Sequence, residues 1–295
     1  MPPIPSPRES GFTTSTPVPL YWARYGDRSG APLLVLHGGP GAEHDYLLPQ
    51  MLALQAPGRD ILFYDQRGGG RSRTEDRTPI TWRSQVNDLA RLIAELEVTP
   101  LVLIGYSWGA LLALLYMIES VGGRAGPVPA RAVLIDAAPV ARKYRDQFEI
   151  EFARRQSGPA IRRLRDELAT SGLRERDPDG YRHRAFELSV AGYFAEPNRA
   201  RDLTPFRVVG RIQDAIWASL EDFDLTRPGM LDSVEVPAMF VHGRQDPIPL
   251  ESSALAAAAM RARLVILEEC GHVPYVEQPE RLFAAINPFL SGSAP

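Results

Sequence analysis

Cysteine is nearly missing from this 295-residue chain, in which Cys270 stands alone. A single thiol excludes an intramolecular disulfide and any zinc site built from several cysteines. Lysine is equally scarce. Lys143 is the one lysine among 33 basic residues, an arginine bias that reads as the codon usage of a GC-rich genome and carries no function. Excess charge is lacking as well: the net charge of -3 gives no basis for binding nucleic acid or an anionic membrane. The longest apolar stretch, residues 101–118, is broken by Gly105, Ser107 and Gly109 and reads as strand, turn and helix rather than a membrane span. Met1-Pro2-Pro3-Ile4-Pro5 has neither the basic start nor the apolar core of a secretory leader, which predicts a cytoplasmic protein.

What is present is the composition of a soluble globular enzyme, 44% hydrophobic and 23% charged. The proline-rich and hydroxyl-rich start predicts a loosely ordered first dozen residues. Short, continuous apolar runs follow at Leu33–Leu36, Ile61–Tyr64, Leu101–Ile104, Ala132–Ile135, Met239–Val241 and Leu264–Leu267. Continuous rather than alternating, they read as strands buried on both faces of a parallel sheet. Between them lie helical patterns. Thr81 is a candidate N-cap for a helix with Trp82, Val86, Leu89, Ile93 and Leu96 on one stripe, and Pro279 opens another. Strands alternating with helices predict a doubly wound, mostly parallel α/β sheet. From about Val140 to Val234 the rhythm changes to charged amphipathic stretches without a strand-like run. This predicts a core of residues 1–139 and 235–295 with a helical cap, 140–234, inserted above the carboxyl ends of the strands.

The chemistry concentrates at those strand ends. Gly105-Tyr106-Ser107-Trp108-Gly109 follows one apolar run and precedes a helical one, which is the context in which G-x-S-x-G exposes a serine on a sharp strand-to-helix turn. A serine nucleophile needs a base and a group to orient that base, in the chain order Ser, Asp, His for this fold. Asp246 follows the strand at 239–241, and His272 follows the one at 264–267. His242 is a weaker candidate base because it precedes the acid, and Glu268 or Glu269 is an alternative acid. His44 and His183 are expected on the surface or lid, and His37 is expected to shape the turn after its strand. His37-Gly38-Gly39-Pro40-Gly41 bares backbone beside the nucleophile, so the N–H groups of Gly39 and Trp108 are the expected oxyanion donors. A phosphate-binding reading of that loop fails for want of a G-x-x-x-x-G-K-S/T pattern. The acyl-transfer machinery is then complete without a metal or organic cofactor.

His37–Gly41, the DQRG-x-G-x-S stretch Asp65–Ser72, Gly105–Gly109 and the Asp246 and His272 loops together resemble the proline iminopeptidases and the similar tricorn-associated aminopeptidases, on the α/β-hydrolase fold. His44-Asp45-Tyr46 and Leu220–Thr226 add to the likeness. The resemblance implies cleavage of an N-terminal aminoacyl bond, often prolyl, in a peptide or amide, and relatives in actinomycete pathways deacylate small-molecule amides. It also implies glutamates that bind the substrate's free α-ammonium. Aligned on these motifs, Gln213 and Pro247 stand at two such positions, and glutamine supplies no countercharge. Glu43, Glu187, Glu221 and Glu277 are the carboxylates that could compensate. The expected partner is a short peptide or small molecule bearing a free amino group. A carboxylesterase or lactonase using the same triad is the alternative, and an inactive ligand receptor is disfavoured because Ser107, Asp246 and His272 are all present. Oligomeric state leaves no mark in the sequence.

Overall fold

The computed structural model describes residues 4–55, 58–75 and 78–292. Eight strands form one sheet: β1 (Glu9–Phe12), β2 (Tyr21–Gly26), β3 (Ala31–Leu36), β4 (Arg59–Tyr64), β5 (Val102–Tyr106), β6 (Arg131–Ile135), β7 (Ala238–Gly243) and β8 (Arg263–Leu267). Their spatial order is β1-β2-β4-β3-β5-β6-β7-β8. The β1–β2 and β2–β4 pairs are antiparallel, and every other pair is parallel. All six predicted strands are present. Of the first dozen residues, 1–3 lie outside the described ones, and 8–12 depart from expectation, since Glu9–Phe12 pairs residue for residue with β2 and Arg8 reaches Asp60 at 3.1 Å.

The continuous apolar runs have the reason anticipated. Leu34, Leu36, Leu62, Tyr64, Leu103 and Leu134 pack into the core on one face, while Leu33, Val35, Ile61, Phe63, Ile104 and Val133 pack into the core on the other. The first core is covered by α1 (Trp82–Glu95) and by α2 (Trp108–Val121), which is buried almost throughout. Helix α1 starts where Thr81 predicts: the Thr81 hydroxyl accepts from the Ser84 N–H at 3.1 Å, and Ser84 Oγ accepts from the Thr81 N–H at 3.0 Å. Such a reciprocal cap is worth about 1 kcal/mol.

Between β6 and β7 the chain runs through α3 (Arg142–Gln156), α4 (Pro159–Thr170), α5 (Leu173–Arg176), α6 (Pro178–Val190) and α7 (Gly210–Ala218), and it gives no strand to the sheet there. After β7 come α8 (Leu250–Ala259), α9 (Pro274–Glu277) and α10 (Pro279–Leu290). No helix among the described residues is long and apolar enough to cross a membrane. The chain leaves β3 for β4 on one side and reaches β5 on the other. The carboxyl ends of β3 and β5 therefore flank the point where the winding reverses, the place where such sheets open a crevice for ligands.

Candidate active site

Ser107 follows β5 directly and is the residue before α2. Its backbone is held at φ 53° and ψ −118°, left-handed geometry that costs about 1–3 kcal/mol for a non-glycine residue. The surroundings impose it. The Ser107 N–H donates to Ile135 O at 2.9 Å, and its carbonyl accepts from Ala110, Leu111 and Ala138 at 3.0–3.2 Å. The flanking Gly109 allows α2 to lie directly on β3, because a Cβ there would sit 2.1 Å from Leu36 O.

Three strand ends meet at the hydroxyl. Ser107 Oγ–H faces His272 Nε2 at 3.0 Å, and His272 Nδ1–H donates to Asp246 Oδ2 at 2.8 Å. Asp246 Oδ1 accepts from the Ile248 N–H at 2.7 Å. Complete burial would raise the Asp246 carboxyl, but the adjacent His272, by charge and hydrogen bond, holds it below the usual carboxylate range. A hydroxyl in line with an imidazole whose far nitrogen is pinned to a carboxylate can lose its proton to the ring.

His272 is itself fixed from several sides. Its N–H donates to Tyr193 O at 2.7 Å, its carbonyl accepts from Tyr106 Oη at 3.0 Å, and the Tyr193 ring stacks on the imidazole at 5.0 Å. The N–H groups on either side, Gly271 and Val273, both donate to Glu277 Oε1 at 3.0 and 3.2 Å.

Opposite the imidazole lies the glycine-rich turn. Gly39, at φ 124°, lines the cavities beside Ser107, and its N–H, like that of Trp108, has no protein acceptor among the described residues. His37 shapes this turn, as expected. Its Nδ1–H donates to Gly38 O at 2.7 Å, and its Nε2 accepts from the Gln66 N–H at 3.0 Å. That second role requires a neutral ring, and burial lowers its pKa to about 4. Gln66 completes the tie, donating to His37 O at 2.7 Å and accepting from Trp108 Nε1 at 2.7 Å. The DQRG stretch therefore joins the two backbone donors. Its other polar groups are structural: Arg67 grips Asp88 through two 2.6 Å bonds, and Asp65 accepts from His44 Nδ1 at 2.6 Å. His44 is thus buried rather than on the surface, whereas His183 is half-buried beside Glu187 on α6.

Two cavities open at Ser107 and share Gly39, Tyr193, Gln213 and His272. The larger, about 280 Å³, is walled by Tyr46, Tyr106, Phe186, Phe206 and Tyr275. The smaller, about 250 Å³, is lined by Phe148, Phe152, Trp217, Arg145 and Glu149. Arg145 lies 3.8 Å over the Trp217 ring and 2.7 Å from Glu149.

Of the six positions considered for binding an amino group (Gln213, Pro247 and the four glutamates), only Gln213 lies at either cavity. Glu277 is committed to backbone N–H groups, including Ala195 at 2.8 Å, because α9 folds back beneath the His272 loop. Glu221 lines a separate groove with Trp82, and Glu43 lies against Gly70 beside Asp65 and Arg71. Glu187 pairs with His183 and Arg184, and Pro247 lines neither cavity. The carboxylate that does line a cavity, Glu149, was not singled out in the sequence, where it is one of many charges on an amphipathic helix. Gln66 and Asp136 were also missed. Asp136 left one signal: it directly follows the apolar run of β6 and so lies on the same edge of the sheet as Asp246 and His272.

A sheet of this order with a strand–serine–helix elbow at its reversal point defines the α/β hydrolases. The chain belongs to the alpha/beta hydrolase family, whose model matches residues 33–286. Within it, the proline iminopeptidase of Lactobacillus delbrueckii subsp. lactis is 25% identical over 275 residues, covering 88% of this chain and 90% of that protein. The solved structure of VinJ superimposes with a TM-score of 0.67 at 24% identity, covering 98% of this chain and all of that one. The enol-lactonase of Burkholderia xenovorans gives 0.63 at 20% identity over 95% of this chain and 100% of that one. The two structural likenesses show the fold.

Proposed function

We propose that the protein is a serine hydrolase that cleaves a prolyl or small aminoacyl amide bond in a short peptide or small-molecule amide, acting in the cytoplasm. The observation that carries this reading is the Ser107–His272–Asp246 line, at 3.0 and 2.8 Å, open to two cavities. Ser107 Oγ attacks the amide carbonyl as His272 Nε2 takes its proton. Asp246 keeps the ring oriented and balances the imidazolium. The Gly39 and Trp108 N–H groups receive the oxyanion, each worth about 3–4 kcal/mol by analogy with known oxyanion donors. The imidazolium then protonates the leaving amine, and water, deprotonated by the same ring, releases the acyl group. Residues 140–234 serve as the cap that closes the cavities. Glu149 and Gln213 are the groups available to the ammonium. The distant proline iminopeptidase relatives support the acyl preference.

An esterase or lactonase is the second reading. It is favoured by the pairing of Glu149 with Arg145, which reduces the countercharge left for an ammonium, and by the aromatic walls of the larger cavity. Turnover of prolyl and alanyl p-nitroanilides, their N-acetylated forms and p-nitrophenyl butyrate separates the two. Cleavage of the free-amine anilides, lost on acetylation, is expected. Butyrate hydrolysis with no anilide cleavage would overturn the aminoacyl assignment, and wild-type activity in Ser107→Ala would overturn the nucleophile.

A further inference from the structure

Asp136 follows β6 directly and is completely buried, with its backbone at φ 42°, a left-handed geometry unfavourable for a non-glycine residue. One oxygen, Oδ1, accepts from the Gly243 N–H at 2.8 Å. The other, Oδ2, is enclosed and has no hydrogen-bond partner among the charged and polar groups of the described residues. Yet the side chain lies against Asp246: an oxygen of each carboxyl and a ring nitrogen of His272 fall within 4.8 Å of one another. Spacing of this kind could cage a cation, but both Asp246 oxygens and Asp136 Oδ1 already accept N–H groups.

Two carboxylates with oxygens within 4.8 Å of each other are two acceptors, and in an enclosed site a charge on both is strongly disfavoured. One proton between them turns the repulsion into a hydrogen bond. Its owner is decided by the other partners. Asp246 receives an N–H on each oxygen, one of them from the imidazole, whereas Asp136 receives one in all. We propose that Asp136 is a positioning residue that holds this proton and donates it from Oδ2 to the Asp246 carboxylate, extending the Ser107–His272–Asp246 line to a fourth member. The inference rests on the hydrolase reading for its kinetic consequence but not for the proton itself.

The surroundings agree. Asp136 faces Asp246 and His242 from β7 and the turn after it, His272, Cys270, Glu277 and Tyr275 from the segment after β8, and Tyr106 from β5. None supplies a nearby fixed positive charge. His242 is 3.8 Å away but neutral by its own bonds: its Nε2–H donates to Ile248 O, which leaves Nδ1 to accept from the Ser253 hydroxyl. Burial, then the Asp246 charge, pushes the Asp136 carboxyl far above its usual range. The donated hydrogen bond holds Asp246 in place and spreads its charge, so the carboxylate stays ionised to lower pH and keeps facing Nδ1.

The experiment compares wild type, Asp136→Asn and Asp136→Ala by infrared difference spectroscopy and by the pH dependence of kcat/KM for p-nitrophenyl butyrate. Asparagine keeps a donor for Asp246 and an acceptor for Gly243, and is neutral. It should retain kcat/KM within roughly threefold and leave the acid limb of the profile in place. Alanine should lose roughly 10–100-fold, as expected for one hydrogen bond to a charged group. The wild-type-minus-Asn spectrum at neutral pH should show the carbonyl stretch of a protonated carboxylic acid. A carboxylate band instead, or an acid limb moved down by about a unit in Asp136→Asn as the imidazolium loses a neighbouring anion, would overturn the proposal. Should Ala fail to fold, the infrared spectrum and the Asn profile still decide. An absence of hydrolysis in wild type would count against the hydrolase reading alone, because the carboxylic-acid band is read without turnover.

Discussion

Replacing Glu277 by glutamine tests what holds His272 in position. Glu277 is 8% exposed and accepts three backbone N–H groups, from Gly271 and Val273 on Oε1 and from Ala195 on Oε2. An amide can set its oxygen against only one side. With that oxygen toward Gly271 and Val273, its NH2 faces the Ala195 N–H, and one bond becomes a clash of two donors. An unmade bond of that kind costs about 1–3 kcal/mol, and the two that survive weaken from charge-assisted to neutral, a further 1–2 kcal/mol or so. Against this, burial raises the Glu277 carboxyl above its usual range, so an uncharged side chain returns part of the loss. The net is about 2 kcal/mol, or roughly 4–8 °C in Tm. Activity should fall further than stability suggests, since both peptide groups flanking His272 lose their anchor. A displacement well under 1 Å at the base is enough to lower kcat roughly tenfold, for ester and anilide alike. Differential scanning fluorimetry and steady-state kinetics on both substrates measure this. An unchanged Tm with a raised KM confined to free-amine substrates would show Glu277 binding the ammonium instead, and the structural account would be refuted.

Gly109→Ala drives a Cβ to 2.1 Å from Leu36 O, so it should destabilise by several kcal/mol, on the order of the worst overpacking, while Gly210→Ala, with open space around it, stays within about 1 kcal/mol of wild type. Similar urea midpoints for the two would contradict the close approach of α2 to β3. His37 is held neutral in the folded chain, its pKa lowered from 6.5 to about 4, so the unfolded chain takes up a proton first as pH falls. Its contribution is complete above pH 6.5 and is lost on acidification through about pH 4, roughly 3 kcal/mol in all, and His37→Gln should flatten that part of the stability profile measured by urea unfolding. An equally steep profile in the variant would remove His37 as the cause. Gln66→Leu cuts the bonds to the His37 carbonyl and to Trp108 Nε1, and should lower kcat roughly tenfold with little change in KM, whereas a pure KM effect would contradict the proposed use of the Gly39 and Trp108 N–H groups as oxyanion donors.

The parallel strands were legible because burial on both faces removes the alternation that complicates other strands. Leu33–Leu36 is apolar throughout since Leu33 and Val35 serve one core and Leu34 and Leu36 the other. The antiparallel margin was not legible. Glu9-Ser10-Gly11-Phe12 is short, mostly exposed and held by register with Tyr21–Gly26, a tertiary fact absent from its own composition. Ser107, Asp246 and His272 could be located because each sits at a strand end, where sequence position fixes spatial position. The glutamates could not be sorted in the same way. A carboxylate reads alike whether it meets solvent, an ammonium or, like Glu277, the backbone of a neighbouring loop. Glu149 and Glu221 look interchangeable in the sequence, and only the path of the helices puts one beside Ser107.

The seam at Tyr193–Ala195 has a consequence for how such enzymes can be rebuilt. The inserted segment grips the His272 loop directly, through the Tyr193 carbonyl on the His272 N–H, the Tyr193 ring on the imidazole and the Ala195 N–H on Glu277. The corresponding segment of a relative cannot be exchanged as a free cassette, because these three contacts travel with it while their partners stay behind. A productive chimera has its breakpoints on either side of them, leaving 193–195 with the strands and trading only the helices that shape the cavities.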